Sequence, residues 1–150
     1  KLRVDLKDGG CVWMTVDKTS RVISDPTGSA TPKSIPGAVV EYTVHVTNTG
    51  DRAADAGTLR LIDVFDPKLA WFTAFAPVFT DGSTPSGLAF NTASNTAFSN
   101  QTSGTNYSYT PVAPSDPAVA RIRFAPTGSL SASNGTAHPS FTLRYRAVVN

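Results

Sequence analysis

A single cysteine, Cys11, is all that the 150 residues hold, so no disulfide can close within the chain and no cysteine cluster can bind zinc or an iron-sulfur centre. Glutamate and glutamine are nearly missing: Glu41 and Gln101 are the sole examples. Both residue types favour helices, and no stretch carries sustained helical periodicity, so a helical domain is excluded. Charged residues make up only 16%, too few for a highly charged disordered tail, and 13 Lys plus Arg against 11 Asp plus Glu leave a net charge of +2. That balance argues against a nucleic-acid partner. The most apolar uncharged run, residues 69–80, is broken by Pro77 and falls well short of the roughly 20 residues a membrane-crossing helix needs, so no membrane span is expected.

What is abundant points the other way. There are 15 Ser and 19 Thr, with 11 Gly and 11 Pro spread along the chain, and 40% of residues are hydrophobic. Thr and Val suit a pleated surface and Gly and Pro punctuate short strands, so the expected fold class is all-β, an antiparallel β-sandwich in one domain. A closed barrel is the alternative. The chain does not begin with Met and shows no signal peptide, which suggests a processed or trimmed product, and a surface rich in Thr, Ser and Asn suggests an extracellular setting.

The strands can be placed by their alternation. In residues 1–7, Leu2, Val4 and Leu6 alternate with Lys1, Arg3, Asp5 and Lys7. Gly9 and Gly10 then make a joint, which divides the chain into residues 1–10, an amphipathic strand with its joint, and residues 11–150, the sandwich domain. A second strand is expected over residues 11–18, with Val12, Met14 and Val16 on one face. Residues 24–37, with Pro26, Gly28, Pro32, Pro36 and Gly37, read as a surface loop. Val40, Tyr42, Val44 and Val46 alternate with Glu41, Thr43, His45 and Thr47 in the clearest strand, and residues 48–51 turn the chain. Further strands are expected over residues 58–64, with Leu59, Leu61 and Asp63 on one face, over 118–125, and over 140–149. Trp71, Phe72, Phe75 and Phe79 supply core bulk, and the charge-free residues 82–115 read as short strands and long loops. The total is about eight strands.

The residues from Ile35-Pro36-Gly37 through Tyr42 to Asn48-Thr49-Gly50 resemble the signature of the repeat known as domain of unknown function eleven, found in prokaryotic surface proteins. Residues 18–20, 23–26 and 32–34 resemble the lead-in of such repeats, and residues 141–150 resemble their close; the similarity spans residues 12–150 and is weakest in the charge-free middle. Asp63 matches a family position, whereas Phe65-Asp66-Pro67 replaces the usual ending after it. The resemblance implies an immunoglobulin-like sandwich, secreted, usually in tandem, and without enzymatic activity. A single unit preceded by an extra strand departs from the tandem pattern. Leu2, Val4, Leu6, Gly9 and Gly10 are therefore expected to form a subunit interface, the strand entering the sheet of a neighbour and building a homopolymeric, pilus-like filament. Pairing of the same strand within its own domain is the simpler alternative.

Chemistry is sparse. His45 and His138 belong to no local metal or triad motif, and there is no Gly-x-Ser-x-Gly, so neither an enzyme nor a cofactor is expected. Asp51, Asp55, Asp63 and Asp66 offer oxygen ligands without the spacing of an EF-hand loop. Arg121, Arg123, Arg144 and Arg146 are expected on the exposed faces of the last two strands, side by side if those strands pair, and they would then want a counter-charge from the same chain, a second subunit or a polyanion. Cys11 reads as a small buried or half-buried side chain, with an intersubunit disulfide as the alternative. Asn100, Asn106 and Asn134 open three glycosylation sequons. The other functional class is a monomeric adhesion or carbohydrate-binding module that meets host or cell-surface glycans through the loops between Trp71 and Tyr109.

Overall fold

The computed structural model describes the backbone of Leu2–Asp5 and all of residues 12–150. Among these residues there are twelve strands, most only two to five residues long, and one helical turn. The strands are β1 (Leu2–Asp5), β2 (Met14–Ser24), β3 (Val39–Asn48), β4 (Arg60–Val64), β5 (Leu69–Phe72), β6 (Val78–Asp81), β7 (Leu88–Ala89), β8 (Thr96–Ser99), β9 (Ser115–Asp116), β10 (Arg121–Phe124), β11 (Thr127–Gly128) and β12 (Ser140–Val149), with α1 (Thr92–Asn95) before β8. The protein is all-β, built from antiparallel sheets. One sheet has the order β1-β4-β10-β8; a larger one has the order β2-β3-β12-β5-β9, with β6 also on β12; β7 and β11 form a small third.

Alternation explains how the sheets share one core. On β12, Phe141, Leu143, Tyr145 and Ala147 are all within 1% of complete burial, and Val44 and Val46 of β3 join them. Leu61 of β4 and Ile122 and Phe124 of β10 meet them from the other sheet in a single cluster. Tyr145 lies at its centre, its ring 5.5 Å from Tyr42, 5.2 Å from Phe124 and 6.1 Å from Trp71. Burying such rings supplies about 1.5–3 kcal/mol each from area alone, so the stacked aromatics carry much of the stability that a disulfide-free chain requires.

Two turns show why the signature residues are needed. Gly37 has φ +87°, a left-handed conformation, and a Cβ there would sit 2.7 Å from the Pro26 ring. Asn48, fully buried, donates its side-chain amide to the Arg52 and Ser131 carbonyls and accepts from the Gly50 N–H, fixing the turn after β3.

The strand count exceeds the expected eight because the stretch around residues 69–128 is cut into short pieces. Strand β2 is also longer than expected. It runs on through residues 18–24, most of them exposed, because β3 offers a full-length partner from Asn48↔Met14 to Val40↔Val22.

Candidate functional site

The strand expected to form a subunit interface is β1. β1 is the outer strand of the four-stranded sheet and, among the described residues, pairs only with β4, in the register Leu2↔Asp63, Arg3↔Ile62, Val4↔Leu61 and Asp5↔Arg60. Leu61 and Asp63 are the two buried positions of β4, so Leu2 and Val4 stand in register with its inward face. The pairing is within the chain, the simpler of the two arrangements expected from sequence. Leu6, Gly9, Gly10 and Cys11 lie outside the described residues.

Beneath this edge lies the most unusual polar group of the core. The Asp63 side chain is 3% exposed, yet it projects among Tyr42, Tyr145 and their neighbours. Its Oδ2 accepts from Lys18 Nζ at 2.7 Å and from the Tyr145 hydroxyl at 2.6 Å, while Oδ1, also buried, has no hydrogen-bond partner among the described residues. Lys18 reaches in from β2 of the opposite sheet; its side chain is 26% exposed and its ammonium lies 4.6 Å from the Tyr42 ring centroid. Burial, reinforced by the Asp63 carboxylate, pushes the Tyr145 phenol well above its ordinary value, so it remains a donor. The alternation of β4 signals a charged residue on the inward face; that its cation comes from Lys18 is not legible, because β2 and β4 lie in different sheets.

The four arginines do not form one surface. β10 and β12 belong to different sheets, which separates Arg121 and Arg123 from Arg144 and Arg146. Arg121, expected on an exposed face, is only 6% exposed, because its guanidinium turns in to donate to the carbonyls of Gln101, Ser103 and Gly104. It pins the loop after β8, with the Tyr107 ring 4.9 Å from Arg121 and 4.4 Å from Arg123. On the larger sheet, Arg146 donates twice to Glu41 at 2.9 and 3.0 Å, with Arg21 at 3.2 Å and Arg144 at 3.7 Å from the other oxygen. Burial alone would raise the Glu41 carboxyl, but the Arg146 hydrogen bonds and the surrounding guanidinium charges outweigh it and hold it below the ordinary range. Glu41 is thus the counter-charge to this arginine pair.

A second internal anchor, Asp116, carries no sequence signal beyond its isolation after the charge-free stretch. Its carboxylate accepts from the Tyr109 hydroxyl and from the Val112 and Ala118 N–H groups, each at 2.8 Å. These bonds overcome the opposing effect of burial and lower its titration.

Other candidates resolve into local bracing or stay apart. His45 is exposed. His138 Nδ1 lies 2.7 Å from Ser133 Oγ, but that hydroxyl also accepts from the Gly135 N–H and serves a turn. Asp66 accepts from the Lys68 N–H in another turn, and Asp51 and Asp55 are exposed. Among the described residues, no group of three or more His, Cys, Asp or Glu is placed to hold a metal. Asn100, Asn106 and Asn134 are all exposed. Trp71, Thr73, Phe75, Pro77, Phe98 and Pro111 help line a groove of about 300 Å³, though Trp71 itself is 3% exposed and committed to the core. No helix among the described residues is long and apolar enough to cross a membrane.

No family model matches this chain, and neither a curated protein nor a solved structure matches it.

Proposed function

We propose that the protein is a non-catalytic structural subunit of an extracellular prokaryotic surface filament, an immunoglobulin-like sandwich that polymerises by exchanging its first strand between copies. The observation that carries this reading is the placement of β1: a strand at a sheet edge whose partner among the described residues is β4, followed by the Gly9-Gly10 joint in the sequence. A strand paired this way within one chain has the same hydrogen-bonding partners when it comes from a neighbour, so the exchange costs little in contacts. Once β1 leaves, the edge of β4 is open and competent to receive another strand. Because each copy gives one strand and receives one, the contact is head-to-tail and extends rather than closes. The Thr- and Ser-rich surface and the exposed sequons fit an extracellular setting.

A monomeric adhesion or carbohydrate-binding module is the second reading, and the aromatic groove beside Phe75 and Phe98 favours it. Negative-stain electron microscopy of the native chain beside a Leu2→Asp, Val4→Asp, Leu6→Asp variant separates the two. Fibres from the native chain and none from the variant are expected. A native chain that stays monomeric at high concentration, or a variant that still forms fibres, would remove strand exchange and leave the groove as the place to look.

A further inference from the structure

Lys18 and Asp63 bring an amine and a carboxylate together between the two larger sheets. A primary amine stands 2.7 Å from an oxygen of a carboxylate whose side chain is 3% exposed, and aromatic rings flank both groups. At this distance a proton can pass from the ammonium to the carboxylate within the contact, which gives a neutral amine beside a neutral acid, the reactive forms of both. The pair is also held in one place by the fold, which replaces a bimolecular encounter with a fixed near-contact.

We propose that Lys18 and Asp63 condense to an intramolecular amide that ties β2 of the larger sheet to β4 of the smaller one. The ammonium proton first moves to the carboxylate. The Nζ lone pair then adds to Cγ, forming the C–N bond and a tetrahedral carbon. Oδ1 departs with the transferred proton and a second proton from nitrogen, so one water leaves, and nothing is oxidised or reduced. Oδ2 remains as the amide oxygen, where the Tyr145 hydroxyl, 2.6 Å away, stabilises the charge that develops on it during addition. The oxygen lost is the one that has no hydrogen-bond partner among the described residues. The product therefore replaces a part-buried ion pair and an unsatisfied acceptor with a neutral amide whose oxygen is already bonded. The partly open Lys18 side gives the released water a way out, and the rings hinder its return for hydrolysis. Since β4 is the strand that holds β1, the bond would carry any pull on β1 directly into the opposite sheet; its formation does not depend on polymerisation.

The test is the intact mass of the denatured full chain, measured for the native sequence and for Lys18→Arg, which keeps the cation but cannot make the amide. The native chain is expected one water lighter than its sequence mass, and the variant at full mass. After trypsin, residues 8–21 should appear joined to residues 61–68, with no cleavage at Lys18. A native chain at full sequence mass overturns the proposal, as does a water loss that maps to another peptide or persists in Lys18→Arg. Because the native measurement needs no folded variant, a folding defect in Lys18→Arg leaves the test decisive.

Discussion

Replacing Asp116 should expose how the long charge-free segment is held to the sandwich. The carboxylate receives three hydrogen bonds of 2.8 Å, two from backbone N–H groups and one from the Tyr109 hydroxyl, and it sits on β9 opposite Trp71 of β5. Hydrogen bonds to a charged group contribute about 1.5–3 kcal/mol each, but groups that share one acceptor do not add fully, and the freed donors regain some water. Asp116→Ala should therefore cost about 3 kcal/mol. For a domain of this size that is a fall in Tm of about 6–12 °C. In Asp116→Asn the amide oxygen can replace Oδ2 and keep Tyr109 and Val112, while the NH2 then faces the Ala118 N–H; about half of that loss is expected. Urea unfolding followed by tryptophan fluorescence measures both. The titration adds an independent check. Because the folded-state value is lowered, the contribution of Asp116 is complete above the ordinary aspartate range and is lost as pH falls through the lowered value, so the native-to-alanine difference should shrink only at acid pH. An alanine variant within about 0.5 kcal/mol of the native chain at neutral pH would refute the reasoning.

Phe141→Ala removes a fully buried ring stacked 5.0 Å from Phe79 and should cost about 3–5 kcal/mol by denaturant unfolding. Around Glu41, Arg146→Ala should cost about 1.5–3 kcal/mol, since it deprives a buried carboxylate of two close hydrogen bonds. Arg21→Ala, from a side chain 74% exposed, should cost less than about 0.5 kcal/mol; comparable losses for the two would contradict the geometry.

Much of the fold was legible because its pattern is local. Alternation in residues 40–46 and 141–147 identifies the inward side chains of β3 and β12, and Leu61 and Asp63 of β4 are buried together with Leu59 just before it, as their shared face in the sequence requires. What could not be read depends on which strands become neighbours. The last two long strands lie in separate sheets, so the four arginines divide into a buried clamp on loop carbonyls and a cluster around Glu41. Lys18 lies in a stretch of β2 with little apolar alternation, and its role comes from reaching a partner in the other sheet. α1 is only one turn, fixed by the Asn91 side chain capping the Ala93 and Ser94 N–H groups, too short for any periodic signal.

Strand exchange makes its sharpest prediction at the register of β1 on β4. Arg3 and Ile62 are paired positions, so cysteines introduced at both, with Cys11→Ser to remove the native thiol, report which chain supplies the strand. Oxidised in assembled material and run on a denaturing gel without reductant, this variant should give a ladder of covalent multimers that collapses to monomer on reduction. Quantitative disulfide formation that yields monomer alone would mean that β1 stays within its own chain, contradicting the proposed filament contact.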